Sequence, residues 1–345
     1  MNASPGLRGG KRILFMLASA LLTFLILAAS YEIYENIRYV RFKAFYGKQG
    51  DLYGNLTIAS PNEKLIWEYR PRGESSSKTR EVQGRRTGVI RTNRHGFRDR
   101  DDESPDRPAG VYRVAFIGDS VTLGLGVDAE ATFVSRFEAE ANGRGRDRKV
   151  QAMNFGIDGY DAGQVRELLS AKVLRFSPDQ VVYVMCLNDF DFQEASARKI
   201  RYFRKPKSFF LKRVGMLFDG TARPKSADYH VFYFEENKQR VFQKLLEMRD
   251  ILREGQIGFF VAILPVFSAP EEGVLGYKYA AIHAEIGEFL RKNGIPGLDL
   301  LEAFSEKLKT PADIAYDVWH LSEQGHRLVA LALLDAVLSQ DGRAK

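Results

Sequence analysis

Cysteine is nearly absent from this sequence of 345 residues, which contains only Cys186. A single cysteine excludes an internal disulfide and every zinc site built from several cysteines. The five histidines form no HExxH pattern, so a metalloenzyme has little support, and we predict neither a metal ion nor a cofactor. Because Cys186 ends an apolar run, we interpret it as a buried side chain rather than a reactive thiol.

Charge is missing over one long stretch, from Ile13 to Ser30. That stretch is long enough to cross a bilayer as a helix, and basic residues precede it. We therefore predict a basic cytosolic N-terminus (1–12), a single-pass transmembrane anchor (13–30) and a large domain exported to the periplasmic or extracellular side. A cleaved signal peptide is the alternative, since Ala28, Ala29 and Ser30 are small, but its apolar part would be unusually long.

Apolar strands and amphipathic helices alternate from Val111 onward. The predicted strands are Tyr112–Ile117, Val150–Phe155, Gln180–Met185, Gly258–Leu264 and Gly297–Asp299. The predicted helices are Thr132–Asn142, Ala162–Arg175, Asn237–Glu254, Tyr277–Asn293 and Ser322–Ser339. This alternation predicts an α/β fold, a three-layer arrangement with a parallel sheet flanked by helices. We assign residues 31–110 to a membrane-proximal connector and 111–340 to the catalytic domain, with an insertion at about 192–236.

The first strand of this domain runs into Gly118, Asp119 and Ser120, where open α/β sheets place their chemistry. Much later in the chain, Asp317 and His320 lie three positions apart, close enough for the carboxylate to orient the imidazole. A serine hydroxyl needs such a base to act as a nucleophile at neutral pH. These two segments point to a serine hydrolase or an acyltransferase.

Four short blocks follow predicted strands or precede the last helix. They are Gly118-Asp119-Ser120, Asn154-Phe155-Gly156-Ile157-Asp158-Gly159, Leu187-Asn188-Asp189 and Asp317-Val318-Trp319-His320. Their order and spacing over residues 111–340 resemble the SGNH (GDSL-type) hydrolase family, whose fold is flavodoxin-like. Two positions depart from the family pattern: Cys186 stands where the third block usually begins with glycine, and Val121-Thr122 replaces Leu-Ser.

The resemblance implies a role for each block. Ser120 is the expected nucleophile, His320 the general base and acid, and Asp317 the residue that orients the imidazole. The expected oxyanion hole consists of the backbone N–H groups of Ser120 and Gly156 and the side-chain amide of Asn188. Neither departure removes one of these groups. We expect Asp119 and Asp189 to brace loops through hydrogen bonds rather than to transfer protons.

Cations and aromatic residues are interleaved in the segment 198–213, inside the predicted insertion. This mixture suits contact with anionic lipid headgroups or an acidic polysaccharide, although a solvated flap is an equally simple interpretation. Nucleic acid is not a predicted partner, because the domain is expected to be exported.

The sequence therefore predicts a membrane-anchored serine esterase that acts on O-acyl esters, chiefly O-acetyl esters, of a cell-envelope or secreted polysaccharide. A polysaccharide O-acetyltransferase would use the same acyl-enzyme and differs only in the acceptor. A lipase, lysophospholipase or thioesterase is a further alternative, with the segment 198–213 as a lid over a lipid ester. The last alternative is a non-catalytic glycan-binding assembly subunit that keeps the fold.

Overall fold

The computed structural model describes most of the chain. The described residues are 5–47, 56–75, 81–82, 85–86, 89–101, 104–145, 147–192, 196–218, 227–267, 276–304 and 310–339. They fall into two compact units. The N-terminal unit comprises the described residues of Met1–Gln49 and Arg204–Arg223, and the catalytic unit comprises those of Gly50–Phe203 and Pro224–Lys345.

Nine strands and ten α-helices lie within the described residues. The strands are β1 (Thr57–Ala59), β2 (Trp67–Tyr69), β3 (Glu81–Val82), β4 (Arg85–Arg86), β5 (Val111–Gly118), β6 (Lys149–Gly156), β7 (Gln180–Met185), β8 (Gly258–Ile263) and β9 (Gly297–Asp299). The helices are α1 (Pro5–Gly47), α2 (Ser120–Leu123), α3 (Phe133–Gly143), α4 (Ala162–Leu168), α5 (Ala197–Phe203), α6 (Phe209–Phe218), α7 (Tyr229–Glu254), α8 (Ala280–Lys292), α9 (Leu301–Phe304) and α10 (Glu323–Leu338).

The central sheet of the catalytic unit has five parallel strands in the order β6-β5-β7-β8-β9. All five strands occur where the sequence predicts them, within a residue or two at each end. The predicted α/β fold with a parallel sheet between helices is therefore confirmed. Strand β5 lies inside the sheet, where it pairs with β6 on one side and β7 on the other, so its carboxyl end is flanked by the ends of two neighbours.

Alternate residues of the strands enter two separate hydrophobic cores, as expected for a sheet covered on both faces. In β5, Val114 and Phe116 pack with α3 and α10, whereas Ala115 and Ile117 belong to the core that includes residues of α4, α7 and α8. All four side chains are completely buried. Continuous apolar runs are required for such strands, which explains why the sequence pattern identifies them so clearly.

Some helices differ from their predicted bounds. Helix α4 ends at Leu168 and continues as a π-turn (Leu169–Val173) and a 3₁₀ turn (Leu174–Phe176), so the predicted helix 162–175 is not regular throughout. Helix α7 begins at Tyr229, well before the predicted start at Asn237. The reason is Asp228, whose side chain accepts a hydrogen bond from the Val231 N–H and caps the helix there.

The segment that we assigned to a connector packs into the catalytic unit from residue 56 onward. The Trp67 side chain of β2 is fully buried, and its indole N–H donates to the carbonyl of Asp158 at 3.3 Å. Tyr160 in turn donates its hydroxyl proton to the Trp67 carbonyl. The predicted insertion is also divided: α5 remains with the catalytic unit, and residues 204–218 belong with α1.

Helix α1 contains the uncharged run 13–30 and extends beyond it to Gly47. From Gly10 it is long and apolar enough to cross a membrane, and none of its most apolar window is buried in the protein. Such a helix near an N-terminus fits both a membrane anchor and a signal sequence by its length and composition. The anchor and the export side remain predictions.

Two glycines let the turn after β5 lie directly against the strand ends. A Cβ atom on Gly156 would come within 2.1 Å of the Leu123 backbone nitrogen, and one on Gly118 within 2.9 Å of the Val184 carbonyl oxygen. The obstacles at Gly156 are main-chain atoms, which cannot rotate away, whereas a Cβ on Gly118 would also meet the Thr122 side chain, 2.3 Å from its Oγ1. The residues after Gly118 can therefore lie this close to β6 and β7 only because these two positions lack side chains.

We predict that Gly156→Ala destabilises the catalytic unit by about 1–3 kcal/mol or more, because the added methyl group overlaps the α2 backbone. Thermal unfolding of the full chain in detergent micelles measures the loss as a lower Tm. Gly287→Ala is the matched control, because a Cβ there meets no atom within 4 Å and alanine favours a helix. A Gly156→Ala protein as stable as the control would contradict the close approach.

Candidate active site

Ser120 is the first residue of α2, immediately after the tight turn that ends β5. Asp119 caps this helix by accepting a hydrogen bond from the Val121 N–H at 2.9 Å. Helix α2 ends after one turn because Gly124 adopts a left-handed conformation (φ 78°). The short helix holds the Ser120 hydroxyl at the carboxyl edge of the sheet.

His320 and Asp317 lie in a tight turn just before α10. The turn is closed by pairing between Ala315 and Leu321 and by a hydrogen bond from the Tyr316 N–H to the His320 carbonyl. The same Asp317 oxygen, Oδ1, accepts the N–H groups of Trp319 and His320 at 2.9 and 2.8 Å. The other oxygen is thereby directed towards the imidazole of His320.

The three side chains form one continuous hydrogen-bonded chain. Ser120 Oγ lies 2.9 Å from His320 Nε2, and His320 Nδ1 lies 2.7 Å from Asp317 Oδ2. Bonding of Nδ1 to a carboxylate leaves Nε2 as the nitrogen that accepts the hydroxyl proton. The serine and histidine predicted to work together therefore lie within proton-transfer distance in this structure.

The Asp317 carboxylate and the protonated His320 imidazole stabilise each other. Burial alone would raise the pKa of Asp317, but hydrogen bonding and the charge of His320 outweigh it and lower that pKa to about 2. Burial would lower the pKa of His320, but the Asp317 carboxylate outweighs burial and leaves the pKa above its usual 6.5. Asp317 is therefore ionised at neutral pH and stabilises the imidazolium that forms when His320 accepts a proton.

Asn188 is tied to the residue next to Ser120. Its side-chain Nδ2 donates to Asp119 Oδ2 at 2.8 Å, while Asp119 Oδ1 caps α2. One carboxylate thus fixes both the serine-bearing helix and the amide of the third block. The expected bracing role of Asp119 agrees with this geometry.

A second carboxyl group lies buried behind this edge of the sheet. Asp189 accepts hydrogen bonds from the Tyr183 hydroxyl (2.7 Å) and the Cys186 N–H (2.9 Å). Burial, followed by the nearby Asp119 charge, raises the pKa of Asp189 well above its usual value. Burial and the same two carboxyl groups raise the pKa of the Cys186 thiol. An inert thiol and a bracing carboxyl group are the chemistry expected for this position.

The N–H of Gly156, the third expected oxyanion donor, is already hydrogen-bonded to a side chain of its own strand. This N–H donates to the Asn154 side-chain oxygen at 2.9 Å, and Asn154 Nδ2 donates to the Thr122 carbonyl at 2.8 Å. A substrate oxygen would have to share or replace the Asn154 bond. In this structure, the requirement for glycine at position 156 comes from the close approach of α2.

Arg98 is a residue near the site that the sequence analysis missed. Its guanidinium is buried and donates to the carbonyls of Leu123, Gly124 and Val127 at 3.1, 2.6 and 2.7 Å. These carbonyls belong to the end of α2 and the loop that follows. Its neighbour Asp99 accepts the N–H of Asn154 at 2.6 Å. The assignment of this segment to a connector hid both residues, since nothing in the sequence distinguishes a buried arginine from an exposed one.

No group of three or more His, Cys, Asp or Glu side chains is arranged to hold a metal ion within the part of the chain that the structure describes. The chemistry that the arrangement offers is that of a serine hydroxyl beside a carboxylate-oriented base. Such a pair can form a covalent bond to a carbonyl carbon.

A match to a known protein family agrees with this chemistry. Residues 116–328, more than half of the chain, match the model of the GDSL-like lipase/acylhydrolase family. A comparison with curated proteins found no match. Three solved structures similar to this chain are 16–18% identical to it.

One is a catalytic mutant of Axe2, an acetylxylan esterase from Geobacillus stearothermophilus (17% identity, TM-score 0.44, 66% of this chain and 94% of that chain). The others are TesA (16%, 0.43, 68% and 99%) and LAE5, an alpha/beta hydrolase enzyme from the metagenome of Lake Arreo, Spain (18%, 0.46, 67% and 97%).

We predict that Asp317→Asn lowers kcat/KM for a small soluble ester by about 10³–10⁴-fold. Asparagine keeps the Oδ1 that holds the turn but loses the charge that raises the pKa of His320. The acidic limb of the pH–rate profile should therefore move to lower pH, because burial then acts on His320 without its counter-charge. An acidic limb that stays in place would show that His320 does not titrate against Asp317.

We predict that Arg98→Met lowers kcat for the same ester about 10-fold or more with little change in KM. The variant leaves three buried carbonyls without their donor, so the loop after α2 no longer holds Ser120 in place. Arg94→Met is the matched control, because Arg94 is exposed in the same segment. Equal kcat values for the two variants would rule out a positioning role for Arg98.

Proposed function

The chain belongs to the GDSL-like lipase/acylhydrolase family and is an SGNH-type hydrolase, and we propose that it cleaves O-acyl esters of a cell-envelope or secreted polysaccharide while anchored in a membrane. The acyl group that we propose is acetyl. The observation that carries the ester chemistry is the 2.9 Å contact between Ser120 Oγ and His320 Nε2, continued to Asp317.

In the proposed reaction, Ser120 Oγ attacks the ester carbonyl carbon while His320 Nε2 takes the hydroxyl proton. The tetrahedral intermediate collapses as the same imidazolium gives that proton to the departing sugar oxygen, which leaves an acyl-Ser120 ester. A water molecule then attacks this ester while His320 Nε2 takes its proton, and the imidazolium returns that proton to Ser120 Oγ as the carboxylic acid leaves. Asp317 stays ionised throughout and stabilises the imidazolium in both half-reactions.

The proposed oxyanion donors are the backbone N–H of Ser120, the side-chain amide of Asn188 and the N–H of Gly156. Asn188 is the donor whose orientation is best supported, because its bond to Asp119 restrains the amide next to Ser120. Gly156 contributes in this proposal by sharing the proton that it now donates to Asn154. Each well-placed donor of this kind stabilises the transition state by about 3–4 kcal/mol.

The membrane anchor of the proposal is the run 13–30 within α1, with the basic N-terminus in the cytosol and the catalytic unit exported. An exported enzyme meets envelope and secreted glycans, and this is the reason for proposing a polysaccharide ester. Of the segment 198–213, Lys199 is buried and paired with Asp158, so it adds no free charge for an acidic polymer. The exposed cations of this segment are Arg198 and, further on, those from Arg204 to Arg213.

An O-acetyltransferase remains the second candidate, because a sugar hydroxyl in place of water would resolve the same acyl-enzyme. The two candidates predict opposite changes in glycan acetylation when Ser120 is removed. A lipid ester is the third possibility, and a steep preference for long acyl chains on model esters would identify it.

We predict that Ser120→Ala abolishes covalent labelling by a fluorophosphonate and lowers hydrolysis of a small acetyl ester by about 10³-fold or more. Ser339→Ala is the matched control, since Ser339 is exposed at the end of α10. In cells that carry Ser120→Ala, an esterase leaves more acetyl on envelope glycans, and a transferase leaves less. Labelling that persists without Ser120 would refute the proposed nucleophile, and unchanged acetylation would refute the proposed substrate.

A further inference from the structure

Helix α6 is held against α1 by a carboxylate that caps it from outside its own sequence. Glu32 of α1 accepts hydrogen bonds from the N–H groups of Phe209 (3.1 Å) and Phe210 (2.9 Å) and from the Ser208 hydroxyl (2.9 Å). The first N–H groups of a helix have no partner within the helix, so an external carboxylate can accept their hydrogen bonds. Its negative charge also interacts favourably with the positive end of the helix dipole. Asn36 donates to Glu32 Oε1 at 3.2 Å and helps to hold it.

Aromatic contacts place the start of α6 beside the end of the apolar run. The Phe210 ring lies edge-on to Phe24 (5.7 Å between centroids) and Tyr31 (6.4 Å). Phe209 packs on Tyr39 at 5.9 Å, and both of these side chains are buried. Phe24 lies within the run 13–30, whereas Glu32 follows it closely. The start of α6 therefore spans the level at which α1 changes from uncharged to charged sequence.

The rest of α6 presents apolar side chains to the surroundings. Leu211, Leu217 and Phe218 are 68%, 70% and 85% exposed, and Met216 is 55% exposed. This surface continues that of α1, where Leu21 and Leu25 are also more than half exposed. Exposed apolar surface of this extent marks a protein or membrane contact.

Exposed cations lie just before this helix and within it. Lys205 and Lys207 precede it, and Lys212 and Arg213 are part of it. The ammonium of Lys205 lies 5.8 Å from the centre of the Tyr39 ring, near the capped end of α6. A helix with an apolar surface and a basic rim beside a membrane span is suited to the lipid–water interface, where cations meet anionic headgroups.

We propose that α6 lies in the lipid–water interface and is attached to α1 through its hydrogen bonds to Glu32. Leu211, Leu217 and Phe218 lie among the acyl chains, and the four cations lie at anionic headgroups. This inference rests on the membrane anchor of the proposed function and is independent of its ester chemistry. The helix thus serves as a second membrane contact, contributed by an insertion of the catalytic unit's own chain.

Depth-dependent fluorescence quenching in nanodiscs tests this placement on the full chain. Leu217→Cys is labelled with a thiol-reactive fluorophore, and Lys212→Cys, on another side of the same helix, is the matched control. The native Cys186 is buried, so the introduced thiol is the one that reacts. We expect acyl-chain nitroxide lipids to quench the label at 217 at least twice as strongly as the label at 212, and headgroup nitroxides to reverse that order.

Glu32→Gln in the Leu217→Cys background tests the hydrogen bonds between Glu32 and the start of α6. Glutamine has one accepting oxygen where the carboxylate has two, and its NH2 group can only donate. We therefore expect at least a twofold loss of acyl-chain quenching and more quenching by aqueous iodide. Unchanged quenching would overturn the role of Glu32. In the labelled Leu217→Cys protein that keeps Glu32, quenching by iodide and not by lipid nitroxides would overturn the interfacial placement. Protection from both quenchers would also overturn it, because the helix would then be covered by protein, such as a second copy of the chain.

Two parallel measurements separate this inference from the proposed function. Hydrolysis of a soluble acetyl ester by the same nanodisc samples reports the ester chemistry. Flotation of the chain with lipid vesicles reports the anchor. Retained hydrolysis and flotation with a water-exposed label would refute the placement of α6 alone. A lipid-quenched label without hydrolysis would refute the ester chemistry alone.

Discussion

The close approach of backbone to backbone at the carboxyl end of β5 is the constraint on which the site depends. Gly118 and Gly156 leave room for the one-turn helix α2 against β6 and β7, and Ser120 begins that helix. Main-chain atoms of α2 pack directly against Gly156, so the backbone that carries Ser120 is fixed relative to β6. A backbone fixed in this way suits the proposed nucleophile, because less ordering is then needed when substrate binds.

The pKa values of three aspartates near this edge of the sheet are shifted in opposite directions. The Asp317 carboxyl has its pKa lowered to about 2, since an imidazole and two N–H groups surround it. Burial raises the pKa of Asp119 and Asp189 instead. At Asp317, hydrogen bonds to the charged carboxylate lower the pKa by more than burial raises it. At Asp119 and Asp189, burial has the larger effect on the pKa. This contrast supports Asp317 as the charged partner of His320 and leaves the other two carboxyl groups to bracing.

The sequence predicts most of the sheet and the candidate site, because strands buried on both faces require continuous apolar runs and because reactive groups follow strand ends. It does not predict the engagement of the Gly156 N–H by Asn154, since a side chain that folds back two residues leaves no pattern. The burial of Arg98 is equally invisible, because its partners are main-chain carbonyls of a distant loop. The segment 198–213 fits both a lipid or polysaccharide contact and a solvated flap in sequence, since the cap of α6 is supplied by Glu32 from far away in the chain.

Arg98, Asp99 and Trp67 precede the family-matched region, yet each makes buried contacts with parts of the catalytic unit. A recombinant fragment cut at residue 111 would keep every expected reactive group. It would lose the Arg98 guanidinium, which donates to the loop after α2, and the Asp99 carboxylate, which accepts the Asn154 N–H of β6. Such a fragment would expose the surface that Trp67 covers and would be prone to aggregate. The smallest fragment worth expressing for crystallisation therefore starts before Leu56, regardless of where similarity to relatives begins.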